Sequence, residues 1–173
     1  NLIIGNDKNN INIVGAATGN EIINNTIGFS VVSIGIEFSG ISYGDVSTNI
    51  IISNGDGATD FGLREITSGA VNSDYNLLDG NFSGPTHSEG AVFNYGINNI
   101  AGQPPRLDAS YFISSVTSPA VDNAFIFSGI SDVFTGFGPD MGGVESVFIF
   151  TNMGPFHVAT NGSDAWPGTY AKP

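Results

Sequence analysis

Residues 20–25 read N-E-I-I-N-N and residues 49–54 read N-I-I-I-S-N, an offset of 49 − 20 = 29 positions. A third related element, Y-N-L-L-D-G-N, begins about one period later and occupies residues 75–81. Self-similarity at a fixed period between about 20 and 50 residues is typical of solenoids, in which each repeat stacks on its neighbours. This pattern therefore predicts a solenoid architecture.

The segments that follow the first two elements also recur. They read I-G-I-E-F at 34–38 and F-G-L-R-E-I at 61–66, and Gly35 and Gly62 are 62 − 35 = 27 positions apart. An antiparallel β-sandwich does not require a sequence repeat of this kind, although it also has short strands and frequent turns. The repeats favour the solenoid, and the sandwich remains the alternative.

The residue types suit a coil of short parallel strands. Ile and Val fit a pleated surface, and Asn and Gly adopt the positive φ angles of sharp bends at low cost. No stretch has a convincing helical period, because apolar residues come in bursts of two to four between Gly, Asn, Ser and Asp. Asn side chains at equivalent bends can also form hydrogen-bonded ladders between rungs. Candidate ladder pairs are Asn9-Asn10, Asn24-Asn25 and Asn98-Asn99.

The predicted fold is all-β, a right-handed parallel β-helix with an irregular C-terminal cap. Residues 1–80 contain the repeats and are assigned to the β-helix rungs. Most of the 13 Phe residues lie beyond residue 80, where the repeat pattern fades. Because a stack of repeats needs an atypical end unit, residues 81–173 are assigned to the terminal rungs and capping region of the same domain.

Several motifs resemble a known family. S-D-Y-N-L-L-D-G-N at 73–81, T-S-P-A-V-D-N-A at 117–124 and P-D-M-G-G-V-E at 139–145 follow the N-E-I-I-N-N element in order. Together they resemble the C-terminal part of secreted right-handed parallel β-helix proteins of the pectate-lyase-like superfamily. The resemblance implies a right-handed parallel β-helix fold and a secreted or cell-surface setting. Its closing motifs are structural, so Asp122 and Asp140 are expected to be turn-forming or capping acceptors.

The composition restricts the partners of the chain. Its formal charge is −12, from 4 Lys and Arg against 16 Asp and Glu. This balance argues against nucleic acid and against docking on an anionic membrane surface. No run is apolar enough to span a bilayer, so no membrane insertion is expected. Cys is absent, which rules out disulfides, and the acidity favours an extracellular or cell-surface location.

The sequence offers little evidence of catalysis. A β-helix lyase needs a Lys or Arg base, and Arg64 has no evident cluster of acids around it, since Glu65 would face away in a strand. His87 and Glu89 could bind a metal or shuttle protons, or they could be solvated loop residues. Carboxylate pairs could serve a hydrolase, although turn roles explain them equally well. These pairs are Asp56 with Asp60, Asp74 with Asp79, and Asp132 with Asp140.

Two binding sites are predicted. Asn54, Asp56 and Asp60 offer hard oxygen ligands around a Gly-rich bend, which suits Ca²⁺, although an Asx-turn would explain the same residues. Trp166 lies beside Asp and Ala in D-A-W-P-G, where an exposed ring could stack on a sugar. The alternative is that Trp166 covers the end of the core.

The predicted function is a non-catalytic extracellular or cell-surface β-solenoid module with a structural, adhesive or glycan-binding role. Its expected partner is a glycan or a second copy of the chain, because an uncapped first rung could pair edge to edge and extend into a filament. Whether the protein is an enzyme stays open. The alternative is the C-terminal portion of a polysaccharide lyase, glycoside hydrolase or epimerase whose active groove lies upstream.

Overall fold

The chain forms a parallel β-helix. The computed structural model describes residues 1–67, 69–89 and 92–146. Every pairing between its strands is parallel, and the strands form a solenoid of about 4 turns. The predicted all-β parallel β-helix is therefore confirmed, and the antiparallel sandwich is wrong.

Each rung, meaning one turn of the coil, contributes one strand to each of three sheets. Sheet 1 contains β1 (Leu2–Ile4), β4 (Thr26–Gly28), β7 (Ile50–Ile52), β10 (Leu77–Asp79) and β13 (Ile100–Ala101). Sheet 2 contains β2 (Ile11–Ile13), β5 (Ile36–Gly40), β8 (Phe61–Thr67) and β11 (Gly84–Ser88). Sheet 3 contains β3 (Asn20–Ile23), β6 (Gly44–Ser47), β9 (Ala70–Asp74) and β12 (Val92–Tyr95).

The register corrects one of the sequence correspondences. Thr26 pairs with Ile50, and Ile50 pairs with Leu77, so successive rungs are offset by 50 − 26 = 24 and 77 − 50 = 27 positions. The equivalence of residues 20–25 with 49–54 is wrong, because the first segment lies in sheet 3 and the second in sheet 1. The equivalence of Gly35 with Gly62 is confirmed, since the residues that follow them are paired.

The coil interior is filled by the inward side chains of all three sheets. Because side chains alternate along a strand, one or two residues per strand point inward, and their full burial stabilises the fold by about 1.5–3 kcal/mol each. The buried set is Ile22, Ile27, Ile36, Phe38, Val46, Ile51, Leu63, Val71 and Leu78.

A ladder of Asn side chains runs through the bend between sheets 3 and 1. The backbone N and Nδ2 of Asn25 donate to Oδ1 of Asn49 at 2.9 and 3.1 Å, and Asn49 donates in the same way to Asn76 at 3.0 and 2.9 Å. Asn76 continues the ladder to Asn99 at 3.0 Å. Asn49 and Asn76 are fully buried, and their amides are satisfied by the rungs on either side. The predicted use of Asn in ladders is confirmed here.

Residues 102–146, which we call the strap, have no regular strands and lie against the outer face of sheet 1. Ile113, Ala120 and Met141 of the strap pack with Ile50, Ile52 and Leu77 of the sheet. The Gly142 N–H donates to the Thr48 carbonyl at 2.7 Å. The irregular cap predicted from the sequence therefore covers the side of the coil.

Two carboxylates stabilise the conformation of the strap by accepting hydrogen bonds from its backbone. Oδ1 of Asp122 accepts from the backbone N–H groups of Phe137 and Gly138, at 2.9 and 3.1 Å. Asp140 accepts from the N–H groups of Asp122 and Ser146, at 2.9 and 2.8 Å. The prediction that Asp122 and Asp140 are turn or capping acceptors is confirmed.

Candidate functional site

The outer face of sheet 3 carries a column of polar side chains. Strand alternation turns Glu21, Asp45, Asn72 and Asn94 outward on successive rungs, where they are exposed and in register. Nδ2 of Asn94 donates to Oδ1 of Asn72 at 2.7 Å, and Nδ2 of Asn72 donates to Oδ1 of Asp45 at 2.6 Å. The last three side chains form an exposed ladder whose amide donors all point toward Asp45.

A surface depression of about 460 Å³ lies beside this ladder. Its polar lining includes Ser47, Asn72, Asp74 and Asn94. Phe93 and Tyr95 also border it, but their rings, with centroids 6.4 Å apart, lie on the other face of β12 from Asn94, and Phe93 packs against the core. We call this depression the sheet-3 groove.

The surroundings of Tyr95 and Asp74, which border the sheet-3 groove, determine the charge and the hydrogen bonds of these two side chains. Burial raises the pKa of Tyr95, so its phenol stays neutral and able to hydrogen-bond at neutral pH. The Asp74 carboxylate accepts from the backbone N–H of Tyr75 at 3.1 Å, and from the N–H and Nδ2 of Asn98, both at 3.0 Å. All of these donors are neutral, so the groove has a net negative charge.

A second polar cluster lies on sheet 2, where Glu37, Arg64 and His87 are in register on successive rungs. Nη1 of Arg64 lies 3.5 Å from Oε2 of Glu37, and Nη2 lies 2.9 Å from Oε1 of Glu89. Nε2 of His87 lies 3.0 Å from the same Glu89 oxygen, and its ring stacks on Phe61 with the ring centroids 4.5 Å apart. We call Glu37, Arg64, His87 and Glu89 the Arg64 cluster.

The expectation that Arg64 lacks acidic neighbours is therefore wrong. Its acids come from the adjacent rungs, at separations of 64 − 37 = 27 and 89 − 64 = 25 positions. Glu37 could have been found from the sequence, because it precedes Arg64 by the same spacing that separates Gly35 from Gly62.

The Arg64 cluster is suited to holding rungs together rather than to proton transfer. A guanidinium bound by two carboxylates stays protonated and cannot act as a base. The hydrogen bond from Arg64, followed by that from His87, lowers the pKa of Glu89. Glu89 is therefore an anion at neutral pH and no general acid.

The residues of the predicted calcium site have other contacts. Asn54 is fully buried, and its Oδ1 accepts from Nδ2 of Asn10 at 2.8 Å while its Nδ2 donates to Asn81 at 2.8 Å. Oδ2 of Asp60 accepts from the N–H groups of Asp56 and Gly57, at 3.0 and 2.7 Å. Both donors precede Asp60 in the chain, whereas in an Asx-turn the side chain bonds to the backbone two residues further on. The structure thus places Asp56 and Asp60 in one turn and Asn54 in a ladder. Calcium binding here stays a prediction.

The other candidates are distributed over the molecule. Asp140 is buried among backbone amides, whereas Asp132 is exposed and accepts from the Gly129 N–H at 2.9 Å. Asp74 and Asp79 end strands of different sheets. Trp166 lies outside the described residues. Within the described ranges, no group of three or more His, Cys, Asp or Glu is placed to hold a metal ion.

Comparison with known proteins gives no relative: no protein-family model, curated protein or solved structure matches the chain. In the part of the chain that the structure describes, no helix is long and apolar enough to cross a membrane.

Proposed function

We propose that this protein is a non-catalytic extracellular or cell-surface β-solenoid module that binds a glycan in the sheet-3 groove. The observation that carries the proposal is the exposed Asp45–Asn72–Asn94 ladder, of which Asn72 and Asn94 line the groove together with Ser47 and Asp74. The motifs of residues 73–145 support membership of the pectate-lyase-like superfamily and, with it, export.

The chemistry of the sheet-3 groove suits a sugar polymer. Sugar hydroxyls both donate and accept, and an Asn amide offers two donors and an acceptor, whereas a carboxylate offers acceptors only. Because rungs repeat every ~4.8 Å, a chain lying along the coil axis would meet equivalent groups at regular steps.

The Arg64 cluster supports the non-catalytic part of the proposal. Its arginine is held by Glu37 and Glu89, and the lowered pKa of Glu89 leaves that carboxylate without the proton that a general acid would donate. The alternative, the C-terminal portion of a polysaccharide lyase, glycoside hydrolase or epimerase, would place the catalytic groups on other rungs of a longer protein.

The test is calorimetric titration of the chain with a panel of oligosaccharides, followed by Asn72→Ala and Asn94→Ala. Each substitution should weaken binding by about tenfold, which corresponds to roughly 1.4 kcal/mol. Asn12→Ala is the matched control, because Asn12 is an exposed amide on sheet 2. Binding that survives both groove substitutions would place the site elsewhere, and a panel without any ligand would refute the proposal.

Self-association is a second candidate role, favoured by the sheet edges. Among the described residues, β2 and β3 each have a neighbouring strand on one side only, and such edges can pair with another chain. Light scattering over a range of concentrations, with electron microscopy of the same samples, tests this role. A constant monomer mass would exclude it.

A further inference from the structure

We infer that the outer face of sheet 1 is an interface for a second copy of this chain, and that two copies exchange their straps in a domain-swapped dimer. The inference is independent of glycan binding, because the sheet-3 groove lies on another face of the coil. It is carried by three features of the strap: a backbone bonded within itself, an apolar contact with the coil, and a hinge of one free glycine followed by prolines.

The strap is held together by its own hydrogen bonds. The Ser118 hydroxyl donates to the Pro105 carbonyl at 2.6 Å, across 13 positions of the strap. Asp122 and Asp140 accept from further backbone N–H groups of the strap. Because both partners of each bond belong to the strap, these bonds persist when the strap moves from one coil to another.

The contact between strap and coil is mainly apolar. Besides the cluster that the strap forms with sheet 1, the rings of Phe29 and Tyr111 lie with their centroids 4.9 Å apart. Near the end of the described strap, the Gly142 N–H donates to the Thr48 carbonyl at 2.7 Å. A second coil of the same sequence offers the same partners, so an exchange of straps conserves these contacts.

The hinge between coil and strap consists of residues 102–104, which are all exposed. Gly102 has a φ of 68°, and a Cβ added to it would have no atom within 4 Å. Glycine adopts positive and negative φ about equally well. The chain can therefore change direction at Gly102 without strain and without a clash.

The residues after Gly102 oppose the turn that brings the strap back onto its own coil. Pro104 and Pro105 have a fixed φ, and each biases the residue before it toward an extended conformation. The chain thus leaves β13 through a stiff spacer, and the turn depends on Gly102. Short and constrained hinges of this kind favour domain swapping.

Concentration decides between the monomer and the swapped dimer, since both make the same contacts between strap and coil. The effective concentration of a strap at its own coil is on the order of 1 mM for a short linker. The dimer fraction should therefore rise as the protein concentration approaches this value during refolding.

The first experiment is cross-linking between chains, which is simple because the natural sequence has no Cys. Phe29→Cys and Tyr111→Cys are made in separate chains, which are mixed, refolded together at about 1 mM and treated with a short bis-maleimide. A covalent dimer of the two variants is expected, because the exchange brings the two thiols together from different chains. Phe61→Cys mixed with His87→Cys is the matched control: these rings lie 4.5 Å apart within one coil and should give no covalent dimer.

The second experiment changes the hinge. Gly102→Ala should favour the dimer, because Ala disfavours the positive φ of the closed hinge and an extended hinge releases it from this conformation. We expect the dimer dissociation constant from light scattering to fall by at least about tenfold. Gly5→Ala is the control, since Gly5 has a φ of 70° and no neighbour for a Cβ, but lies in the coil. The circular dichroism spectrum checks that each variant is folded.

The outcomes are distinguishable. A covalent dimer of Phe29→Cys with Tyr111→Cys, and none in the control, supports the inference. Dimers that lack this cross-link would overturn it in favour of another contact, such as the edges of β2 and β3. A constant monomer mass up to about 1 mM would also overturn it, and neither result would affect the glycan titration of the sheet-3 groove.

Discussion

The ladder bends of the coil and the strap both bury polar groups, but they satisfy these groups with different chemistry. In the coil, neutral amides such as Asn49 and Asn76 bond to the same side chain one rung away. In the strap, the carboxylates of Asp122 and Asp140 collect backbone N–H groups that have no strand partner. Where the backbone repeats from rung to rung, identical neutral side chains can satisfy the hydrogen bonds of its buried polar groups. An irregular backbone needs acceptors that take several donors each.

This difference predicts that the stability of the ladders and the stability of the strap depend differently on pH. Amides do not titrate between acidic and neutral pH, so the ladders of the coil should be insensitive to pH. The strap should respond to pH through its carboxylates, and it should be separable from the coil because it packs on the outer face of sheet 1.

The largest effect is expected from Asn49→Ala, which interrupts the ladder in the middle of the coil. Asn49 is fully buried and bonds to Asn25, Asn76 and the Ile22 carbonyl. Removing its side chain leaves these buried groups unsatisfied, at about 1–3 kcal/mol each, so the variant should lose about 4 kcal/mol of unfolding free energy. Urea denaturation measures the loss.

Asn12→Ala serves as the control for the ladder, since this exposed amide should change the stability by less than about 0.5 kcal/mol. A loss below about 1 kcal/mol for Asn49→Ala would mean that the ladder amides are no more important than exposed ones.

A smaller and more local effect is expected from Met141→Ala. The Met141 side chain is 1% exposed and packs between the strap and sheet 1, with Ile50 and Ile52 among the neighbours in its cluster. The cavity should cost about 3 kcal/mol. Hydrogen exchange should accelerate in residues 102–146 and stay slow in β5 to β9. Equal acceleration in both regions would show that coil and strap unfold as one unit.

The sequence predicted the coil better than the strap for a physical reason. Residue type alone places Asn at bends and Ile in the core, so the ladders and the interior follow without knowledge of the register. The correspondence of residues 20–25 with 49–54 failed because Ile-rich runs flanked by Asn occur in sheet 3 as well as in sheet 1. Successive rungs also differ in length, which makes such shifts hard to detect.

The candidate site was harder to predict because it depends on that register. Asp45, Asn72 and Asn94 meet on one face only if β6, β9 and β12 are correctly aligned. On sheet 2, by contrast, the spacing of Gly35 and Gly62 already aligns Glu37 with Arg64. For the strap, the motifs identified Asp122 and Asp140 as acceptors, but no sequence pattern shows which face of the coil an irregular segment covers.

The pH response of the strap can be tested with Glu145→Gln. Burial, and in addition the Asp140 charge, raises the pKa of Glu145 above its ordinary value. The folded strap therefore holds this proton more tightly than the unfolded chain does, so its stability rises as the pH falls through the folded pKa. Because Gln resembles the protonated form, the variant should have a higher Tm than wild type at neutral pH and the same Tm at acidic pH. Glu21→Gln, on an exposed carboxylate, is the control.

The smallest effect, of opposite sign, is expected on the coil from Glu89→Gln. The hydrogen bonds from Arg64 and then His87 lower the pKa of Glu89. A carboxyl with a lowered pKa contributes stability above its unfolded pKa, and this contribution is lost as the pH falls through the folded pKa. Glu89 is exposed and salt screens its ion pair, so the variant should lower the Tm slightly at neutral pH and low salt, and not at acidic pH. If Glu89→Gln and Glu145→Gln changed the Tm in the same direction at neutral pH, the electrostatic contrast between coil and strap would be wrong. In that contrast, a cation stabilises the Glu89 carboxylate, whereas burial penalises the Glu145 carboxylate.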